Sequence, residues 1–341
     1  MSTKLRALVA ACAICAVCAA PTARIVRHFY VPSTVSPAAQ RILREFDGER
    51  FGDDFPASQN PAAWKNVQAL YARAAAIRIR QAIAEYAVTV TPLRLGGVPV
   101  LDVRPHGWTR DRRLIVYAHG GAYVVLSAGA DIPEAAALSA ASGERVISID
   151  YTLAPEAQWN TIQQQALSVF AALRREGYRL RDIAMAGDSA GGGLTVSTVL
   201  NLRDRGLGMP AAAVLLSPWV DLTDRGDTMT TLADADPLLS YSGLYRAARA
   251  YAGSLPLDDP RVSPLYANFS KGFCPTLIQE GTKTIFLSSS VRLYRALDAA
   301  GDHPVLDMYE GMWHDFQFDT WLPESRIAYA KMAAFIRAHQ S

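Results

Sequence analysis

A serine set between small residues at a sharp turn carries the strongest chemical signal in this chain. Gly187-Asp188-Ser189-Ala190-Gly191 follows the apolar run Ile183-Ala184-Met185-Ala186 and precedes a helix-like stretch that opens at Gly192-Gly193-Leu194. On a strand-to-helix turn the hydroxyl stands clear of the backbone at the positive end of a helix, which is the setting of a serine nucleophile. Upstream, Leu114 to Ala118 runs into His119-Gly120-Gly121-Ala122-Tyr123. Free backbone N–H groups in such a loop suit an oxyanion hole, whose donors must be fixed before charge develops on the substrate. The candidate donors are Gly120, Gly121 and Ala122, together with the amide of Ala190. Downstream, His314 ends Gly311-Met312-Trp313-His314 after the run Val305 to Tyr309, and the order nucleophile, acid, base places it as the base. His28, His106, His119, His303 and His339 lack such a context, and His119 is expected to brace its own loop.

The elements that must hold these residues are legible as a rhythm. Short apolar runs at Val98 to Val103, Leu114 to Ala118, Val146 to Ile149, Ile183 to Ala186, Ala213 to Leu216, Thr276 to Gln279 and Val305 to Tyr309 read as strands. Helical patterns at Ile162 to Arg175, Leu194 to Arg205, Val291 to Ala300 and Ser325 to Ala338 lie between or after them. This alternation argues for an α/β fold with a mainly parallel central sheet covered by helices on both faces. Residues 35–85 read as helical, with Ser36-Pro37 as a start, and 218–275 breaks the strand-helix rhythm. Together these two intervals are expected to form a small helical cap over the strand ends.

Composition narrows the function classes. With 50% hydrophobic and 19% charged residues and a formal net charge of +2, the chain is globular and offers no electrostatic footprint for nucleic acid. At the N-terminus, Lys4 and Arg6 precede an apolar run from Leu8 to Ala20 that ends among small residues. That is the pattern of a secretory signal or a membrane anchor, so 1–34 is set apart from the fold and an exported or membrane-associated protein is expected, a cytoplasmic one being the alternative. Cys12, Cys15 and Cys18 lie inside the run, which leaves Cys274 alone in the remainder. No histidine accompanies the three, so they do not read as a metal site.

In these motifs, and in their order and spacing, the chain closely resembles the bacterial hormone-sensitive-lipase family of α/β-hydrolases from about residue 35 to the C-terminus. The resemblance rests on His119 to Tyr123, Asp150-Tyr151-Thr152-Leu153-Ala154-Pro155-Glu156, Gly187 to Gly192, Ser217-Pro218-Trp219-Val220-Asp221-Leu222, Asp236-Pro237-Leu238-Leu239-Ser240 and Glu310 to His314. It implies a capped α/β-hydrolase that cleaves small-molecule carboxylic esters with a serine nucleophile and no cofactor or metal. It also implies that Tyr123, Trp219, Leu238, Leu239 and Trp313 line the substrate cleft, although such residues are also ordinary core. Asp150 and Glu156 are expected to support the oxyanion loop, Asp188 to make local backbone hydrogen bonds and Asp221 to hold a turn.

The chain departs from the family at Ala122, where a third glycine is usual, at Thr152, where an arginine is usual, and at the triad acid. Relatives carry aspartate or glutamate three residues after Gly281, and this chain has Thr284 there. A hydroxyl can accept from an imidazole N–H but brings no charge to stabilise the imidazolium. Glu280, at the end of the same strand, is the best substitute acid; Asp315 is expected to face away from the ring, and Asp298, Asp302 and Asp307 to be solvated. Thr284, Glu280 or a water would then orient His314. The first reading is a serine carboxylester hydrolase acting on small or medium acyl esters. Its rivals are a ligand-binding or weakly active protein on a hydrolase fold, and an enzyme whose acid has been replaced.

Overall fold

The computed structural model describes residues 29–341 apart from 58, 74, 110, 111 and 224. The segment 8–20, on which the export expectation rests, lies outside the described residues. Among those described, no helix is long and apolar enough to cross a membrane.

The strands are β1 Val88–Leu95, β2 Val98–Pro105, β3 Leu114–Ala118, β4 Arg145–Ile149, β5 Ile183–Asp188, β6 Ala212–Leu216, β7 Thr276–Gly281 and β8 Val305–Tyr309. They form one eight-stranded sheet in the order β1-β2-β4-β3-β5-β6-β7-β8. β1 and β2 pair antiparallel around Gly96-Gly97, β2 runs antiparallel to β4, and every later pair is parallel. β3 to β7 are buried at every residue, because helices cover both faces of a parallel sheet. The leading strand β1 was not foreseen: Pro92 interrupts the alternation of Val88, Thr89, Val90 and Thr91, and the strand is largely exposed at the sheet's edge.

The helices are α1 Pro37–Glu45, α2 Pro61–Ala72, α3 Ala75–Tyr86, α4 Ile132–Ser142, α5 Trp159–Arg175, α6 Ser189–Asp204, α7 Thr228–Thr231, α8 Tyr241–Ala252, α9 Leu287–Ala299 and α10 Pro323–His339. Ser36 starts α1 as expected, its hydroxyl accepting from the Ala39 N–H at 3.1 Å, with Pro37 at the first helical position.

The two intervals read as a cap do meet. Phe51 N–H donates to the Leu238 carbonyl at 2.8 Å, Arg246 donates to the Gly52 carbonyl at 2.9 Å, and Phe51 packs edge-on against Phe55 and Tyr71. Its outline is narrower than 35–85, however. α1 buries Ala39, Ile42 and Leu43 in the same apolar cluster as Met312 and Trp313, and α3 packs on α4. Both belong to the body of the domain.

Val31 and Val35 join that same cluster, Thr34 donates to Glu310 at 2.9 Å, and Ser36 gives Glu324 two hydrogen bonds, from its N–H at 2.8 Å and its hydroxyl at 3.0 Å. The chain from about Val31 is therefore a strap fastened to the start of α10 and to the loop that carries His314.

Candidate active site

Because β3, β5, β7 and β8 are parallel, the segments after their C-terminal ends gather along one rim of the sheet. The His119 loop, Ser189, the loop through Thr284 and the loop through His314 all leave from that rim. β5 passes directly into α6, which begins at Ser189 itself rather than at Gly192. Ser189 takes φ +48°, a left-handed conformation rare outside glycine. Such a turn is sterically exacting: a Cβ on Gly191 would press into the Ala118 carbonyl oxygen at the end of β3. Gly121 is equally constrained, with φ +89° and the Val125 carbonyl oxygen where its Cβ would be.

His314 Nε2 lies 3.0 Å from Ser189 Oγ, so the expected nucleophile and base are in contact. The ring is buried, with Phe286 edge-on to it at 5.0 Å between centroids. Its far nitrogen, Nδ1, has no hydrogen-bond partner among the described residues. Thr284, the residue at the acid position, is also fully buried, and its Oγ1 instead accepts from the Phe286 N–H at 3.2 Å.

Glu280 turns inward and is fully buried. Its carboxylate accepts from Ser290 Oγ at 2.7 Å and from the Gly281 N–H at 3.0 Å. Burial pushes its pKa up to about 7, against the pull of Ser290, His314 and Ser217.

Asp315 corrects the expectation that it faces away from the imidazole. The residue sits in a left-handed conformation at φ +49°, and its Oδ2 is 2.9 Å from His314 Nε2, on the same nitrogen that meets Ser189. Burial lowers the affinity of His314 for a proton, but Asp315, Glu280 and Asp236 outweigh it and hold the imidazole above its ordinary value. Asp236, in the Asp-Pro motif, is tied by backbone donors: Oδ1 accepts from Leu238 and Leu239 at 2.8 and 2.9 Å, and Oδ2 from Ile285 at 2.9 Å. It thereby fixes the loop at Thr284. Asp298 pairs with Arg295, Asp302 accepts from the Phe273 N–H and Asp307 pairs with Lys331; none hydrogen-bonds His314.

The loop that carries the candidate oxyanion donors is braced from beneath. His119 is fully buried, stacks on Tyr151 at 4.0 Å and holds the Gly120 carbonyl through Nδ1 at 2.8 Å, as a bracing residue should. Tyr151 OH donates to the His119 carbonyl at 2.8 Å, and Asp150 accepts from the Ala128 N–H at 2.9 Å. Glu156 departs from its expected supporting role: it is exposed and makes no hydrogen bond among the described residues. Among the four donor candidates, the Gly120 amide points to Asp131 Oδ2 at 3.4 Å and is diverted from the site. The amides of Gly121, Ala122 and Ala190 have no protein acceptor among the described residues.

Asp188 also differs from its expected role. It accepts from Tyr117 OH at 2.8 Å and, with Asp131 and Glu134, forms a buried group whose carboxylate oxygens lie within 4.8 Å of one another. Burial, and then the charge of Asp131, raise Glu134 and Asp188 well above the usual carboxylate range. Asp221 does hold a turn, accepting from Thr223 and pairing with Arg292 at 2.6 Å.

The residues expected to line the cleft are mostly packed. Tyr123 stacks on Tyr251 at 3.7 Å, Trp219 stacks on Phe286 at 5.9 Å, Trp313 lies against Phe46 at 5.6 Å, and Leu239 is buried. Leu238 alone of the five is half-buried. Sequence reasoning passed over Ser290 as a partner of Glu280, because it lies in an ordinary helical stretch.

Residues 115–318 match the family model of the α/β hydrolase fold. An esterase of Acinetobacter venetianus is 33% identical over 250 residues, covering 73% of this chain and 82% of its own length. An acetyl-hydrolase of Streptomyces hygroscopicus is 33% identical over 251 residues, covering 71% and 84%. Among solved structures, esterase E25 superposes with a TM-score of 0.84 at 28% identity, covering 91% of this chain and 96% of that one. An esterase from the bacterial hormone-sensitive lipase family superposes with a TM-score of 0.75 at 31% identity, covering 82% and 92%. The chain thus belongs to the hormone-sensitive-lipase family of α/β-hydrolases, as a hydrolase of the esterase and lipase type.

Proposed function

We propose that the protein is a serine carboxylester hydrolase that turns over small or medium acyl esters through an acyl-enzyme. The observation that carries the reading is the 3.0 Å contact between Ser189 Oγ and His314 Nε2 at the head of α6. In the first half-reaction Ser189 Oγ attacks the ester carbonyl while its proton passes to Nε2. The amides of Gly121, Ala122 and Ala190 receive the negative oxygen, and the alcohol leaves with the proton from Nε2. Water, deprotonated by the same nitrogen, then releases the acid and restores the serine.

Position 284 sets the expected efficiency. For Nε2 to accept from Ser189, the neutral imidazole must carry its proton on Nδ1, and no acceptor among the described residues holds it there. Asp315 on Nε2 favours the opposite tautomer. Loss of the acid's charge in a serine protease triad lowers turnover by about 10⁴. Slow turnover is therefore expected. Close packing of Tyr123, Trp219 and Leu239 supports a preference for short acyl groups, and relatives named acetyl-hydrolase point the same way. Those names also favour turnover over the ligand-binding reading.

The test is hydrolysis of p-nitrophenyl acetate, with longer esters for comparison. Activity should be measurable, fall with chain length and disappear in Ser189→Ala; undiminished activity in that variant removes the mechanism. The run 8–20 is proposed as an export signal or anchor, which fractionation of expressing cells and the mass of the mature protein would test.

A further inference from the structure

Three carboxylates from two elements converge at the turn that carries Ser189. Asp131 precedes α4 and Glu134 lies in its first turn, three residues apart and so on one face of the helix, while Asp188 ends β5 immediately before the serine. All three are buried, and an oxygen of each lies within 4.8 Å of an oxygen of the other two. Asp188 Oδ1 accepts from Tyr117 OH at 2.8 Å, and Asp131 Oδ2 faces the Gly120 N–H at 3.4 Å. Glu134 is different. It is 0% exposed, it is aimed into the group, and neither of its oxygens has a hydrogen-bond partner among the described residues. Asp131 Oδ1 has none either, although an aspartate at the head of a helix ordinarily caps it.

An ionised carboxylate withdrawn from water needs a countercharge, and a group of three needs it more, because mutual repulsion adds to the loss of hydration. Arg78 of α3 does not supply it. Its Nη1 donates to the Ala130 carbonyl at 3.1 Å, its guanidinium lies over the Phe318 ring at 4.1 Å, and it makes no ion pair with the three among the described residues. The heads of α4 and α6 favour the ionised carboxylates but bring only partial positive charge. Size and charge then point to one kind of ion. Oxygens up to 4.8 Å apart can meet on a cation that binds them at about 2.3 to 2.6 Å, the length of calcium–oxygen bonds, whereas magnesium binds at about 2.0 to 2.1 Å and keeps several waters. Hard oxygen donors exclude the softer transition metals, and three negative charges favour a divalent ion over sodium.

We propose that Asp131, Glu134 and Asp188 form a calcium-binding site that ties the head of α4 to the end of β5. Glu134 offers both of its oxygens, and Asp131 and Asp188 each add one, while Gly120 and Tyr117 keep the others in place. The ion is structural: it fastens the His119 loop, through Asp131, to the strand that leads into Ser189. It takes no part in ester cleavage, and the site stands independently of the serine-hydrolase reading.

The test uses full-length protein stripped with a chelator and melted with and without calcium chloride. The ion is present throughout the scan, so slow entry to a buried site does not matter. Calcium at about 100 times its Kd should raise the melting temperature by about 5 °C, magnesium at the same concentration should do much less, and equilibrium dialysis should count a single calcium ion per chain. Glu134→Gln should weaken binding by about tenfold or more, because affinity follows the number of charged ligands. If that variant does not fold, as judged by circular dichroism, Asp131→Asn takes its place. Terbium, a luminescent stand-in for calcium, gives a readout in the wild type: Tyr117 beside Asp188 should sensitise its emission, calcium should quench it by displacement, and Tyr117→Phe should lower it. A melt unmoved by calcium together with no ion retained in dialysis overturns the proposal and leaves the three carboxylates neutralised by protons. Calcium binding that both Glu134→Gln and Asp131→Asn leave unchanged also overturns it, since the ion would then sit elsewhere. Ser189→Ala should bind calcium as wild type does, so the hydrolase reading and the calcium site can fail separately.

Discussion

His314 Nε2 is shared between Ser189 Oγ at 3.0 Å and Asp315 Oδ2 at 2.9 Å, so in the proposed mechanism one nitrogen would serve a nucleophile that needs its lone pair and a carboxylate that favours its proton. After opposing burial, Asp315 is the largest contribution holding the imidazole above its ordinary value. A base must be neutral to act, so the acid limb of kcat/KM belongs above the ordinary histidine pKa of 6.5. Asp315→Asn should move that limb to lower pH, and a pH profile of ester hydrolysis checks it; an unmoved limb would mean that Asp315 does not act on the base. Glu280 makes an opposite demand on stability. Its carboxyl rises from 4.5 in a free chain to about 7 when folded, so across that window the native state binds the extra proton. Stability therefore falls as pH climbs through the window, by about 3 kcal/mol for a shift of this size. Denaturant melts at pH 5 and pH 8 should show wild type losing more stability than Glu280→Gln on going to the higher pH. A smaller loss in wild type would contradict a buried, ionising Glu280.

Elements decide how closely these residues can meet. The turn from β5 into α6 works because Gly191 lets the helix start against the Ala118 carbonyl, so Ser189 and the His119 loop at the end of β3 are set by one contact. Gly191→Ala should destabilise the fold by about 2 kcal/mol or more and remove ester hydrolysis even in the protein that remains folded. A melting curve and an activity assay on the folded fraction check this, and near-normal activity would mean the turn tolerates displacement. At this scale the sequence was informative. The seven foreseen strands occur within a residue or two of their runs, since each is a short apolar stretch bounded by turn residues. β1 escaped because Pro92 breaks its apolar alternation in the middle of the strand. The turn at Ser189 and its contact with His314 were legible because glycine and histidine at fixed spacing have few other uses. The direction of the Asp315 side chain was not, because it follows from a left-handed backbone at an aspartate, which a residue letter does not encode. The diversion of the Gly120 amide to Asp131 was hidden for a related reason: the two are 11 residues apart and meet only when β3 and α4 are in place.

Across the whole molecule, the rim that carries Ser189 and His314 is enclosed from two directions. The cap joins the segment around Phe51 to that around Leu238, while the strap from Val31 to Ser36 runs under the loop of His314 and ends on Glu324 of α10. Removal of residues 1–28 should leave ester hydrolysis and melting temperature close to those of the full chain. Removal of 1–36 should lower both, because Val35, the hydrogen bond to Glu310 and the paired bonds to Glu324 go together. Equal behaviour of the two truncations would show the strap to be dispensable. If the N-terminal run is an export signal, the strap bounds its processing: a peptidase that trims the leader has a last permissible bond, just short of Val31, beyond which maturation would cut away a support of the catalytic base.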